Sequence, residues 1–198
     1  MSQPELKGNE LAYVQDAIAK KEIGPRGFYI DAFETELASY IGVKHALAVS
    51  SGTAAIQLGL QVLGVSKGDL VLCSTFTFAA SAFPITYLGA EPVFVDAEIN
   101  TGNIDIEAIE SAINSRTKAI AVVHYLGVPV DMPKVISIAK KHNLFLLEDC
   151  ALAPGAKVDG THVGLHGDVG VFSFYPVKHI TTAEGGMIIL RDGELAKK

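Results

Sequence analysis

Ala46-Leu47-Ala48-Val49-Ser50-Ser51-Gly52-Thr53-Ala54-Ala55 is a short apolar run that ends in small polar residues and passes into a segment of helical period. Ala46–Val49 predicts a strand, and Ile56, Leu60 and Leu63 fall on one face of a helix over Ala54–Leu63. The same change of period recurs down the chain. Further strands are predicted at Leu70–Cys73, Pro92–Val95, Ala119–Val123, Leu144–Leu147, Gly170–Phe174 and Met187–Leu190. Between them, Ile106, Ile109 and Ile113, then Val135, Ile136 and Ala139, mark helical faces. Strands that alternate with helices build a mostly parallel sheet, because a parallel pair needs a crossover long enough to hold a helix. The expectation is an α/β fold: one mostly parallel seven-stranded sheet flanked by helices. Ahead of it, Leu11, Val14 and Ile18, then Phe33, Leu37, Tyr40 and Ile41, predict two amphipathic helices over about residues 1–41, separated by Gly24-Pro25-Arg26-Gly27. No internal repeat or interdomain linker interrupts the 198 residues, so they read as one domain.

Composition narrows the classes of function. Only 19% of residues are charged and 49% are apolar, so the chain must bury a large core or a subunit interface. The net charge of -6, with no basic stripe, argues against a nucleic-acid partner. The apolar runs are far shorter than the ~18 residues that a membrane span requires, and the polar segment Met1–Glu10 carries no secretory leader. Cys73 and Cys150 show no pairing pattern and fit buried, inert thiols in a reducing cytoplasm.

Three constellations carry chemistry. Ser50–Ala55 places small residues at the start of a helix, where backbone N–H groups face outward and Gly52 admits close approach of an anion. The same residues also suit an ordinary N-cap. Neither GxGxxG nor GxxxxGK[ST] occurs, which sets aside the usual dinucleotide and nucleoside triphosphate cradles. Next, Leu144–Leu147 leads into Glu148-Asp149, two acids at a strand end where ligands of such sheets collect. They could hold a cationic group, or only solvate the strand end and cap a turn. Third, Phe172-Ser173-Phe174-Tyr175-Pro176-Val177-Lys178-His179 sets a lysine in an apolar loop. Burial there lowers an amine's pKa and makes it a nucleophile for a carbonyl; a surface lysine is the plainer reading. His179 could carry a proton or simply face solvent. An anion cradle, a strand-end carboxylate and a carbonyl-seeking lysine are the three anchor points of pyridoxal 5'-phosphate. Phe76 and Phe78, just past another strand end, could offer the ring an aromatic face or belong to the core. No metal enters this reading.

The chain resembles the DegT/DnrJ/EryC1/StrS family of pyridoxal-phosphate-dependent nucleotide-sugar aminotransferases, of fold type I. The resemblance runs through Gly24-Pro-Arg-Gly, Ser51-Gly-Thr-Ala-Ala, Thr77-Phe-Ala-Ala, Gly89-Ala-Glu-Pro-Val-Phe-Val-Asp96, Glu148-Asp-Cys-Ala and Phe172-Ser-Phe through Glu184-Gly-Gly. It implies that Lys178 bonds the cofactor and serves as acid and base, that Asp149 partners the ring nitrogen and that Phe78 stacks on the ring. Gly52, Thr53 and Ser173 are implied to bind its phosphate. It also implies ping-pong transfer of an amino group, usually from glutamate, to a nucleotide-linked keto sugar in a cytoplasmic homodimer. Lys178 argues against a dehydrating relative that carries histidine there. Leu152 stands where the family commonly has Gln, and Pro154 where it often has His. Residues 1–198 correspond to the family's large domain, and its smaller C-terminal domain is expected to be missing here. A different class of function, a non-catalytic binding or interaction protein of the same fold, would show no time-dependent transfer from glutamate.

Overall fold

The structure is a computed structural model that describes residues 4–198. In chain order its elements are α1 (Glu10–Ala19), α2 (Phe28–Ile41), β1 (His45–Val49), α3 (Gly52–Val62), β2 (Leu70–Ser74), α4 (Phe83–Tyr87), β3 (Glu91–Val95), α5 (Ile106–Ala112), β4 (Thr117–Val123), α6 (Met132–His142), β5 (Phe145–Asp149), β6 (Lys157–Val158), β7 (Thr161–His162), β8 (Val169–Ser173) and β9 (Gly186–Leu190). Seven strands form one sheet in the order β1-β9-β8-β5-β4-β2-β3. It is parallel throughout except for β9, which runs antiparallel to β1 and β8. The carboxyl ends of β1, β2, β4, β5 and β8 therefore lie along one edge. No helix among the described residues is long and apolar enough to cross a membrane.

The sheet is covered on both faces, which is why β2 reads as a continuous apolar run with every residue buried. One core lies under α3 and α4 and joins Ile56, Leu60, Val71, Leu147, Val171 and Ile188. On the other face, Leu72, Ile109, Ile120, Met132, Val135 and Leu146 pack under α5 and α6. A third cluster places Ile41, Phe172, Met187 and Ile189 beneath α2. Each fully buried side chain of this size contributes about 1.5–3 kcal/mol. Helix α3 lies close to the sheet because residue 59 is glycine. A Cβ there would come within 3.0 Å of both Leu147 Cδ1 and Val169 Cγ1. Helix α3 begins where Ser51 Oγ accepts the Ala54 N–H at 3.1 Å, and α6 where Asp131 accepts from Lys134 N at 3.3 Å.

The seven predicted strands are all present, with shifted ends. The largest correction is β5, which extends through Glu148 and Asp149 instead of stopping at Leu147. Those acids pair with Val122 and Val123 of β4, so ladder hydrogen bonding, which hydropathy does not report, carries the strand on. Phe174 falls just outside β8, because its N–H turns to the Gly185 carbonyl across the following loop. Helix α5 ends before Ile113, whose ψ of 136° is extended. The β6–β7 hairpin was not predicted. Its turn is Asp159-Gly160, with φ of 48° and 79°, the dipeptide that two-residue hairpins favour. Helix α1 forms as expected, but its apolar stripe of Leu11, Val14 and Ile18 faces outward, 55–71% exposed.

Candidate active site

The loops that follow β1, β2, β4, β5 and β8 enclose a cavity of about 640 Å³. Gly52, Thr53, Phe78, Asp149, Ser173 and Lys178 all line it. The strand order carries this out: β8 lies beside β5, with β9 between β8 and β1, so residues distant in sequence end on one edge.

At one wall, α3 presents its N-terminus. The first N–H groups of a helix have no partner within it. Ser51 caps one of them, its Oγ accepting from Ala54 N, and its carbonyl accepts the first bond of the helix ladder from Ala55 N at 3.0 Å. The N–H groups of Gly52 and Thr53 thus stand at the positive end of the helix beside the cavity. Ser173, the last residue of β8, lies directly across: a Cβ on Gly52 would come within 2.8 Å of Ser173 Cβ and 3.2 Å of its hydroxyl. Only glycine leaves this cradle open, and its donors are backbone N–H and hydroxyl groups that suit a phosphate.

Asp149 stands at the end of β5 and is 5% exposed. Its Oδ1 accepts from Ala151 N at 3.0 Å and its Oδ2 from Ser81 Oγ at 2.8 Å. One oxygen therefore caps the turn after the strand, as one of the two readings had it, while the carboxylate borders the cavity. Lys178 also lines the cavity, from a turn in which its N–H donates to the Tyr175 carbonyl at 2.9 Å. Burial lowers the Lys178 ammonium below its ordinary value, and the negative charge of Asp149 works partly against that. It is a half-buried amine, not a free surface lysine. Phe78 is 78% exposed at the rim, whereas Phe76 packs on Tyr125 with ring centroids 4.6 Å apart. Leu152 forms part of the wall; Pro154 does not, and His179 faces solvent.

Glu148 behaves differently from either expected role. Alternation along β5 sends it to the opposite face, where it is fully buried. It accepts N–H groups from Gly164 at 2.8 Å, His166 at 2.7 Å and Gly167 at 2.5 Å, and it meets His124 Nε2 at 3.0 Å. His124 Nδ1 accepts from Val130 N at 3.1 Å, so the ring proton sits on Nε2 and is donated to Glu148. Burial alone would raise the Glu148 carboxyl; the His124 hydrogen bond, with the Gly164 and Gly167 N–H groups, outweighs it and holds the acid below its ordinary range. Cys150 completes a compact His124–Glu148–Cys150 group. The imidazole nitrogens and the carboxylate of that group are already engaged by protein hydrogen bonds, which makes it a lock on the chain. Burial pushes the Cys73 thiol up to about 12 and Cys150 well above its ordinary value, as suits inert core thiols.

Sequence reading missed Ser81 and Thr77, which line the cavity beside Asp149 with their hydroxyls 2.8 Å apart. Two hydroxyls four residues apart in the apolar run Phe76–Phe83 were the available signal.

Residues 4–198 match the DegT/DnrJ/EryC1/StrS aminotransferase family. The chain is 44% identical to the GDP-perosamine synthase of Escherichia coli O157:H7, over 98% of this chain and 53% of that protein. It is 46% identical to the UDP-N-acetyl-3-dehydro-alpha-D-glucosamine 3-aminotransferase of Acidithiobacillus ferrooxidans, over 84% of this chain and 46% of that one. Among solved structures, the pyridoxal-phosphate form of the putative sugar aminotransferase Spr1654 from Streptococcus pneumoniae superimposes with a TM-score of 0.90 at 30% identity, covering 98% of this chain and 53% of that one. The chain spans about half the length of the curated relatives it matches.

Proposed function

Because the chain belongs to the DegT/DnrJ/EryC1/StrS aminotransferase family, we propose that it is the cofactor-holding large domain of an aminotransferase acting on a nucleotide-linked keto sugar. The observation that carries this reading is the convergence of the α3 cradle, the Asp149 carboxylate and the Lys178 amine on one cavity. The dehydro sugar in the name of the Acidithiobacillus relative supports a keto substrate. The amino donor is glutamate, and the working enzyme is a cytoplasmic homodimer.

Pyridoxal phosphate, when bound, supplies an aldehyde that links to amines and a ring that draws electrons from the substrate carbon. The Gly52 and Thr53 N–H groups and the Ser173 hydroxyl hold its phosphate, where the helix end favours negative charge. Asp149 would hold a proton at the ring nitrogen, and Phe78 would shield the ring from water. Lys178 would bond the aldehyde carbon and, as a free amine, would move a proton between the substrate carbon and the cofactor. Its lowered pKa keeps a larger fraction as free amine near neutrality than an exposed lysine would have.

The test is to add pyridoxal phosphate to the purified chain, reduce with borohydride and locate the added mass by peptide mass spectrometry. Label on Lys178 alone is expected. No label, or label scattered over surface lysines, would overturn the cofactor site. Time-dependent loss of glutamate, with a keto nucleotide sugar as acceptor, then tests the transfer itself.

A further inference from the structure

Two hydroxyl side chains that line the cavity beside Asp149 form a hydrogen-bonded series with it. Ser81 Oγ is 2.8 Å from Asp149 Oδ2, and Thr77 Oγ1 is 2.8 Å from Ser81 Oγ. The direction of the chain follows from counting protons. Ser81 has one hydroxyl hydrogen and spends it on the carboxylate oxygen, so Thr77 must be the donor in the second bond. Ser81 is 3% exposed, which shields its two bonds from competing water. Bonds aligned head to tail in such surroundings strengthen one another.

The same two residues flank the aromatic rim. Phe78 lies between them in sequence, and its carbonyl accepts the Ser81 N–H at 2.9 Å. Ser81 thus ties Phe78 through its backbone and Asp149 through its side chain. With Oδ1 fixed by Ala151 N, both carboxylate oxygens are pinned, and the plane of the acid is set relative to the loop that bears Phe78. Phe78 and Asp149 both line the cavity, so the spacing between those two groups would determine how well a flat ring held by both is gripped.

We propose that Thr77 and Ser81 are positioning residues: their directed hydroxyl chain couples the Asp149 carboxylate to the Phe78 loop and presents the two as one preformed clamp for a heteroaromatic ring. This rests on the pyridoxal phosphate reading above, but its first readout does not need the cofactor.

The experiment uses the full chain and the variants Ser81→Ala, Ser81→Thr, Thr77→Val and Thr77→Ser. In the cofactor-free proteins, amide hydrogen exchange is followed across the loop of residues 76–80 and across β5 and β8. Ser81→Ala is expected to speed exchange in the loop about tenfold while the strands keep wild-type protection, and Thr77→Val to speed it severalfold. The hydroxyl-bearing variants Ser81→Thr and Thr77→Ser restore slow exchange. The dissociation constant of pyridoxal phosphate, and the pH at which its bound absorption band shifts, should move in the same order, with affinity weakened about tenfold in Ser81→Ala. Loop exchange that does not change, or that rises evenly through the sheet, would reduce the hydroxyls to ordinary core satisfaction and overturn the coupling. A wild-type chain that takes up no pyridoxal phosphate would instead overturn the cofactor reading, and the clamp's role with it, whatever the loop does.

Discussion

Glu148 and Asp149 are neighbours on one strand with the same functional group, yet they do opposite work. Glu148 points away from the cavity, is fully buried, and accepts four hydrogen bonds that tie His124 of the β4 loop and residues 164–167 to the sheet. Asp149 points the other way, is pinned by only two donors, and keeps acceptor capacity on the cavity side. A saturated carboxylate is a structural rivet, whereas one with acceptor capacity to spare on a cavity can act on a ligand. The period of a strand, not the identity of the residues, assigns the roles.

The comparison breaks most visibly at Glu148. Truncation in Glu148→Ala strands three backbone N–H groups, two of them buried, and the buried His124 donor, at a cost of about 3–5 kcal/mol. For a chain of this size that lowers Tm by ~6–20 °C. In Asp149→Asn the shape survives, and Tm should move by no more than ~3 °C. The positions then trade places in cofactor binding. Asp149→Asn replaces a charge-assisted hydrogen bond of about 1.5–3 kcal/mol, which weakens pyridoxal phosphate roughly 10- to 100-fold in a fluorescence titration. Equal Tm losses in the two variants would end the distinction between rivet and ligand group.

Acid sharpens it further. Because the Glu148 carboxyl is held below its ordinary value, its contribution to stability is whole above about pH 4 and is lost as pH falls through the folded value. Melting temperature of the wild type should therefore drop steeply below pH ~4. Glu148→Gln, already destabilised, should show a shallower slope there; parallel curves would mean that Glu148 is not the group being protonated. The smallest expected effect concerns Lys178. Its folded value is depressed, so holding it charged costs the fold; that cost is full at lower pH and fades as pH rises toward the ordinary lysine range. Its practical sign is kinetic. In limited acylation near pH 8, Lys178 should label ahead of exposed lysines such as Lys157, and an even distribution of label would contradict the depressed value.

The sheet was legible in the sequence because its inner strands are buried on both faces and so appear as apolar runs. For the same reason the last two residues of β5 were not: Glu148 and Asp149 are acids held in the ladder by pairing with β4, which hydropathy cannot register. Site residues at special backbone or charge positions, Gly52 and Lys178 among them, announce themselves by type. Ser81 and Thr77 do not, since a hydroxyl in an apolar run looks the same whether it meets a carboxylate from a strand 68 residues away or its own backbone. Gly164, His166 and Gly167 were invisible for a related reason, because they act through their N–H groups and any residue type carries one.

The close seat of α3 on the sheet at Gly59 has a mechanical side. A helix rises about 1.5 Å per residue, so Gly59 lies roughly 10 Å along a stiff rod from the phosphate cradle at Gly52. The contact with Leu147 and Val169 acts as a fulcrum, and the cradle sits at the end of the arm. A change of volume under the fulcrum would tilt the arm and move the proposed anion site against Ser173, which stands on a different element. Under the proposed function, phosphate affinity would thus be open to tuning by core substitutions that never touch the cavity.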